Sequence, residues 1–331
     1  MLPVAILSVA ALVVGSPLSP YADALDKRQG VGTTDFGNFK FYSQHAAAAY
    51  CNSEDTRPGD SVACSGECDD VQRNGASIID IFSGSRTGIA GYASVDDARR
   101  EIVVSIRGSN NIRNFITDII FKMKDCSLTR GCKVHTGFAD AWDEIAHTAT
   151  SAIHEGLTAN PSYKVVITGH SLGGAVAHLG AAYLRQAGYA CDVYTYGSPR
   201  VGNDKFANFA TSQPGKMFRV THEADPVPRL PPIIFGYRHT SPEYWLTSRG
   251  SSSIDYLPGD IRICNGIANI LCNAGTFGLD IIAHLHYMGD TTGCAPFPLR
   301  WKRDDPSDEE LKQRLNDWSQ QDQDLVNNGN A

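Results

Sequence analysis

A serine flanked by glycines near the middle of the chain constrains the fold most strongly. It is Ser171, at the centre of a Gly-x-Ser-x-Gly pattern at residues 169–173. The apolar run at residues 164–168 predicts a buried strand before it, and residues 172–186 predict a helix after it. So sharp a strand-to-helix turn strains the serine backbone and requires small neighbours two positions away, as both glycines are. The pattern therefore predicts a hydroxyl raised clear of a sheet and pointing at solvent, beside the positive end of a helix. A glycine-rich turn without chemistry is the alternative.

Strands and helices alternate along the rest of the chain. Further buried strands are predicted at residues 100–106, 192–196 and 217–220, and helices at residues 34–50 and 139–157. This alternation predicts a sheet with parallel members, covered on both faces. The 331 residues are 42% hydrophobic and 20% charged, which excludes a disordered, collagenous or coiled-coil chain.

The first residues and the cysteines indicate secretion. Residues 4–14 are apolar apart from Ser8, a run too short to cross a bilayer but long enough for the core of a signal peptide. Small residues at Gly15-Ser16 or Ala22-Asp23-Ala24 offer a cleavage site. A buried N-terminal helix is the alternative, because no Lys or Arg precedes the run. The nine cysteines predict up to four disulfides and one free thiol in a secreted chain.

The charge is acidic and unevenly distributed. A formal charge of −7 argues against a nucleic-acid partner held through its phosphates. Residues 301–331 hold eight acidic and four basic residues, so more than half of the net charge lies there. Lys27-Arg28 and Lys302-Arg303 bracket the cysteine-bearing body and are candidate processing sites. We therefore expect a signal peptide and short propeptide at residues 1–28, one domain at 29–301, and an acidic C-terminal tail at 302–331 that is a candidate propeptide.

The tail has the pattern of an amphipathic helix. Ser307 and Glu310 form a capping box, and Leu311, Leu315, Trp318 and Leu325 recur on one face of the predicted helix. Such a stripe needs a partner surface, and we expect the tail to cover an exposed apolar face of the body. A disordered acidic tail that only aids solubility is the alternative.

A serine nucleophile needs a base, and the base needs an orienting carboxylate. In sheets with this kind of turn, the acid and then the histidine follow the serine along the chain. Asp225 lies just beyond the predicted strand at 217–220, and Glu223 is its rival. We prefer Asp225 because Pro226 directly after it fixes the loop.

Three histidines follow Asp225: His239, His284 and His286. The histidines upstream, including His178 in the helix after the serine, are interpreted as surface or packed core residues. The residues alone leave His284 and His286 nearly tied as the base.

The chain resembles the class 3 family of secreted filamentous-fungal lipases over about residues 36–294. The motifs are specific and spread over this whole length. They are Ile106-Arg107-Gly108-Ser109, Gly169-His170-Ser171-Leu172-Gly173-Gly174, Tyr196-Gly197-Ser198-Pro199-Arg200-Val201-Gly202-Asn203, Asp225-Pro226-Val227-Pro228-Arg229-Leu230-Pro231-Pro232, Ser241-Pro242-Glu243-Tyr244-Trp245 and Asp280-Ile281-Ile282-Ala283-His284-Leu285.

The resemblance implies an α/β-hydrolase fold, a mostly parallel sheet with helices on both faces and disulfide staples. It implies His284 as the base, with Ser171 the nucleophile and Asp225 the acid. An oxyanion hole needs two donors. The backbone N–H of Leu172 is one, and the resemblance implies Ser109 as the other, which by itself would be only a hydroxyl ending a strand.

The segment after Ser109 is a lid in this family. Ile112, Phe115 and Ile116 have helical spacing and form one apolar face, with Arg113 and Asn114 on the other. An ordinary surface helix packed on the core is the alternative. Feruloyl esterases of the family are polar here, so the apolar face favours a lipase at a lipid–water interface.

Disulfides are implied by the same resemblance as Cys51–Cys294, Cys64–Cys68 and Cys126–Cys132, which leaves Cys264 and Cys272 to pair. Cys191 is then expected as a buried, inert thiol. No metal or organic cofactor is expected, since no His/Cys cluster has zinc-ligand spacing.

These expectations combine into a secreted serine lipase that hydrolyses acylglycerol esters. The alternatives are a phospholipase or mono/diacylglycerol lipase with the same site, a soluble-ester esterase of feruloyl type, and a catalytically inactive lipid-binding relative. Partner proteins are not indicated, and no later apolar run is long enough to cross a membrane.

Overall fold

A computed structural model describes residues 30–53, 56–66, 68–294 and 306–330. In these residues one eight-stranded sheet has the order β1-β2-β3-β6-β7-β8-β9-β10, and β4 and β5 form a separate hairpin. The strands from β3 to β9 in this order run parallel, and the pairs at both edges are antiparallel. The strands are β1 (Ser77–Ser83), β2 (Ala90–Asp96), β3 (Glu101–Ile106), β4 (Met123–Asp125), β5 (Lys133–His135), β6 (Lys164–His170), β7 (Cys191–Tyr196), β8 (Met217–His222), β9 (Glu243–Leu246) and β10 (Ile261–Cys264).

Helices cover both faces of the sheet. On one face α4 and α5 pack Trp142, Ile153 and Leu179 into an apolar core. On the other face α1 packs Phe39 and Tyr42 against the sheet. The helices are α1 (Thr33–Ala48), α2 (Asp69–Asn74), α3 (Ile112–Asp118), α4 (Thr136–Ala159), α5 (Leu172–Gln186), α6 (Asp204–Ser212), α7 (Ile281–Leu285) and α8 (Asp308–Asn327).

This architecture is the α/β-hydrolase fold, and the predicted fold class is confirmed. Each apolar run expected to form a strand lies in the parallel centre of the sheet, as β3, β6, β7 and β8. The apolar runs of the sequence do not predict the antiparallel edges. Strand β2 has the sequence Ala-Gly-Tyr-Ala-Ser-Val-Asp, whose small residues give little strand propensity.

Disulfides join four pairs of cysteines. The pairs are Cys51–Cys294, Cys64–Cys68, Cys126–Cys132 and Cys264–Cys272. Cys191 is free and buried at the start of β7, where burial raises the pKa of its thiol and keeps it protonated.

Several sequence expectations fall on residues whose structure is not described. The apolar run at 4–14, Lys27-Arg28 and Lys302-Arg303 all lie outside the described residues. Within the described part, no helix is both long and apolar enough to span a membrane.

The tail forms a helix docked on the body. Ser307 caps α8 and forms the predicted capping box with Glu310. The buried positions of α8 are Leu311, Leu315, Ser319, Asp322 and Val326. The buried stripe therefore departs from the predicted one, because Trp318 and Leu325 are only half-buried and two polar residues lie on the buried face.

Candidate active site

Ser171 stands at the turn between β6 and α5. Its φ of 57° is in the left-handed region, which is strained for a serine. The flanking glycines are needed for close packing of the turn. A Cβ on Gly169 would lie 2.4 Å from the Gly173 carbonyl oxygen, and a Cβ on Gly173 would lie 2.0 Å from the Ile106 carbonyl oxygen. The serine is thus held at the carboxyl end of β6 by two close contacts between backbone segments, and only glycine is small enough for these contacts.

The Ser171 hydroxyl is fully buried in this structure, so the prediction that it points at solvent is wrong for this conformation. Its backbone N–H donates to the Tyr196 carbonyl at 2.8 Å, which ties the turn to the neighbouring strand. Among the described residues, neither Ser171 Oγ nor His284 Nε2 makes a hydrogen bond. Catalytic hydrogen bonds are often unformed without substrate, and the bond between the Ser171 hydroxyl and the His284 ring is not formed here.

The structure brings Asp225 and His284 together. His284 Nδ1 lies 2.8 Å from Asp225 Oδ2 and 3.0 Å from Oδ1, and both residues are fully buried. Because a carboxylate only accepts, the Nδ1 nitrogen carries the proton and Nε2 is left to act as the base. The Val227 N–H donates to Asp225 Oδ1 at 2.8 Å and fixes the carboxylate.

The rival residues are occupied elsewhere. The Glu223 carboxylate accepts from the backbone N–H groups of Arg249 and Gly250, each at 3.0 Å. His286 Nδ1 donates to the Ile282 carbonyl at 2.8 Å, and His239 Nε2 donates to the Pro228 carbonyl at 2.7 Å. This geometry favours Asp225 over Glu223, and His284 over the other two histidines.

Two upstream histidines hold the segment that carries His284. His170 Nε2 donates to the backbone carbonyl of His284 at 2.8 Å, and its Nδ1 accepts from Tyr50 at 2.9 Å. His222 Nδ1 donates to the Ala283 carbonyl at 2.8 Å. Burial lowers the pKa of both rings below the usual 6.5, so they remain neutral and keep these roles.

Sequence reasoning treated these histidines only as surface or packed core residues. The position of His170 directly before Ser171 is the one signal in the sequence of a role at the site, because a residue in this turn lies close to the groups that support the serine.

Tyr287 and Asn273 also support Asp225, and the sequence does not indicate this role for either residue. The Tyr287 hydroxyl donates to Asp225 Oδ2, and burial together with this carboxylate raises its pKa well above 10. Asn273 Nδ2 donates to the backbone carbonyls of Glu223 and Asp225, at 3.1 and 3.0 Å. Neither residue belongs to a pattern that a single sequence exposes.

The expected oxyanion residues lie at the same edge of the sheet. Leu172 is the first residue of α5, so its N–H is one of the free donors at the helix start. Gly108, next to Ser109, packs so tightly that a Cβ on it would lie 3.0 Å from Ser171 Cβ. The Ser109 hydroxyl itself bonds to the backbone of Asn111, both accepting and donating at 3.2 Å. The hydroxyl must break these bonds and rotate before it can donate a hydrogen bond to the oxyanion of a substrate.

The expected lid is helix α3, capped by Asn111, whose side chain accepts from the Asn114 N–H. Ile112 and Ile116 are buried against Val227 and Leu230. Phe115 is half-buried beside them. The apolar face thus lies on the loop that follows Asp225, as a closed lid would.

A strained, buried serine beside a buried His–Asp pair at the edge of a parallel sheet is the arrangement of serine hydrolases. No group of three or more metal-binding side chains is found among the described residues.

Comparisons with known proteins agree with this class. The model of the family "Lipase (class 3)" matches residues 103–235. A secreted mono- and diacylglycerol lipase 1 of Fusarium solani is 53% identical over 331 residues, which covers 98% of each chain. Secreted mono- and diacylglycerol lipase A of Penicillium camembertii is 39% identical over 78% of this chain and 86% of its own length. The structure of a mono- and diacylglycerol lipase from Aspergillus oryzae superposes with a TM-score of 0.75 at 38% identity, covering 80% of this chain and all of that chain.

The chain belongs to the class 3 lipase family. It is a lipase, and hence a carboxylic ester hydrolase, as the sequence resemblance implied.

Proposed function

We propose that this lipase is secreted and hydrolyses acylglycerols at a lipid–water interface, with mono- and diacylglycerols as its preferred substrates. The single observation that carries the chemistry is the buried Asp225–His284 pair beside the strained Ser171. The substrate preference and the secretion are supported by the Fusarium and Penicillium relatives, which are named secreted mono- and diacylglycerol lipases.

The mechanism is acyl transfer through Ser171. His284 Nε2 removes the hydroxyl proton as Oγ attacks the ester carbonyl, and the Leu172 N–H and Ser109 stabilise the oxyanion. The tetrahedral intermediate formed by this attack then breaks its bond to the glycerol oxygen, which takes the proton from His284, and an acyl-serine remains. A water molecule then gives a proton to His284 Nε2 and attacks the acyl carbon. His284 returns the proton to Ser171 Oγ as the bond between Oγ and the acyl carbon breaks, which releases the fatty acid and restores the serine. Asp225 holds the imidazole tautomer and stabilises its protonated form throughout.

An apolar rim around the lid supports action at an interface. Ile120, Phe235, Phe277 and Ile282 are large apolar side chains that are 43–74% exposed. Ile120, Phe277 and Ile282 lie within two residues of members of the apolar cluster that includes α3 and the loop after Asp225, and the Phe235 ring packs on Phe121 of that cluster. Exposed apolar groups gathered around one site are typical of a surface that meets lipid.

Interfacial activation tests this proposal. Opening of the α3 lid exposes apolar surface, which is unfavourable in water but favourable against lipid. With a short-chain triglyceride, we expect the rate to rise sharply above the solubility limit. At equal interfacial area, we expect mono- and dioleoylglycerol to be hydrolysed faster than trioleoylglycerol. A smooth hyperbola through the solubility limit would indicate an esterase without a working lid, and preference for trioleoylglycerol would reject the partial-glyceride assignment.

A charge placed on the lid separates its role from general stability. Phe115→Asp puts a carboxylate on the apolar face, and we expect emulsion hydrolysis to fall about tenfold or more while hydrolysis of a soluble ester changes little. The matched control is Asn114→Asp, which adds the same charge one position away on the polar face. Equal loss in both variants would show that the apolar face has no special part.

A further inference from the structure

The surface beside the closed lid is covered by the chain's own C-terminal helix. Leu311 and Leu315 of α8 are buried in one cluster with Ile112 and Ile116 of α3. Val227 and Leu230 also belong to this cluster. Trp318 of α8 packs edge-on against Phe121, with ring centroids 5.1 Å apart. We call the surface formed by Ile112, Ile116, Val227 and Leu230, together with Arg200, the docking face.

The docking face holds one acidic side chain of the helix in a site shaped for a carboxylate. Asp322 is buried, and its Oδ2 accepts from Arg200 Nη1 at 3.2 Å and from the Ile233 N–H at 2.8 Å. Its Oδ1 accepts from the Ile234 N–H at 3.0 Å. Arg200 is only 1% exposed and is held in place by the carbonyls of Arg229 and Pro231. A buried guanidinium and two peptide N–H groups therefore satisfy both oxygens of one carboxylate.

Further polar contacts fix the register of the helix. Arg229 Nη1 donates to Ser319 Oγ at 3.0 Å, and the Gly278 N–H donates to Asn316 Oδ1 at 2.7 Å. At the start of the helix, Arg113 of the lid bonds to Asp308. The helix thus contacts the lid, the loop after Asp225 and the segment before His284.

We propose that the docking face is a binding site for an acidic amphipathic helix, that α8 is its occupant, and that α8 competes there with the lipid surface. The apolar contacts of α8 are ones that acyl chains also provide, and Asp322 supplies the specificity that lipid lacks. While α8 is seated, the lid is held shut and Ser171 is shielded. This inference rests on the proposed function only in naming lipid as the competitor.

Full-length variants test the docking. Asp322→Asn keeps the shape of the side chain but removes the charge that faces Arg200, and Asp324→Asn is the matched control, exposed on the same helix. Hydrogen bonds to buried charged groups are strong enough that we expect a small phosphonate to label Ser171 of Asp322→Asn about tenfold faster in the absence of lipid. Asp324→Asn is expected to match the parent chain.

A second variant and a second readout keep the test decisive. Leu315→Gln weakens the apolar contacts without touching Arg200 and is also expected to speed labelling. Hydrogen exchange of residues 308–327 in the parent chain is expected to accelerate when a neutral acylglycerol emulsion is added. Equal labelling of all four chains, or a helix still protected on the emulsion, would overturn the inference. Failure of every chain to label would contradict the proposed function instead, and the exchange measurement would still decide whether lipid displaces the helix.

Discussion

Replacement of His284 by alanine is expected to lower kcat by about four orders of magnitude or more. The ring is bound to the Asp225 carboxylate through Nδ1, and its Nε2 makes no hydrogen bond among the described residues, so this nitrogen is available to act as the base. Without it, Ser171 keeps its proton at neutral pH. The measurement is steady-state hydrolysis of a soluble ester and of an emulsion, with KM determined for each.

The matched control for this variant is His286→Ala, two residues along the same segment. Among the described residues the His286 side chain bonds only to the Ile282 carbonyl, and it is partly exposed, so its loss should cost less than about threefold in kcat. If His286→Ala were inactive and His284→Ala active, the assignment of the base would be wrong.

Gly197→Ala is expected to lower kcat by about a hundredfold or more, with a much smaller change in KM. A Cβ at this position would lie 2.9 Å from His284 Cε1 and 3.0 Å from Asp225 Oδ2, so the methyl group must push the His–Asp pair out of place. A displacement of about 1 Å of a catalytic group costs rates of this order. The measurement is kcat and KM on a soluble ester, together with the melting temperature.

Gly188→Ala is the control for the backbone cost of this substitution. Gly188 has φ +95° and Gly197 has φ +59°, so alanine is strained at both, but a Cβ on Gly188 meets nothing within 4 Å. Both variants should lose stability through the backbone strain, and Gly197→Ala should lose more because of the added steric contact. Only Gly197→Ala should lose catalysis. Equal activity of the two would show that the His–Asp pair tolerates the methyl group.

The centre of the sheet could be predicted because its strands are buried on both faces. Such strands are continuous apolar runs, as at residues 164–168, and the turn at Ser171 carries its own glycine pattern. The outermost strand β1 is only partly buried, and β2 beside it is buried but rich in small residues. The pairing of these strands is therefore decided by tertiary contacts that a single sequence does not encode locally.

The candidate site was predictable where chemistry fixes a residue type, as for Ser171 and the acid and base downstream. The supporting shell was not, because His222, Tyr287 and Asn273 act through hydrogen bonds to residues far away in sequence. The choice between His284 and His286 needed the family resemblance, since both lie in one short segment.

The tail shows why an apolar stripe alone is an incomplete guide. Periodicity favoured Leu325 on the buried face, whereas the structure buries Asp322 there instead. Burial of a carboxylate is costly unless a cation and hydrogen-bond donors receive it, and only the folded body supplies Arg200 and the Ile233 and Ile234 N–H groups. The sequence of the helix alone therefore does not predict that Asp322 is buried.

The central claim is that Ser171 is the nucleophile, activated by His284. The most direct measurement is covalent labelling of the full chain with an alkyl phosphonate on a neutral emulsion, followed by peptide mass spectrometry, with His284→Ala in parallel. The account predicts one adduct per chain, on the peptide containing Ser171, and almost none in His284→Ala. No adduct on the parent chain, or an adduct on a different serine, would contradict it.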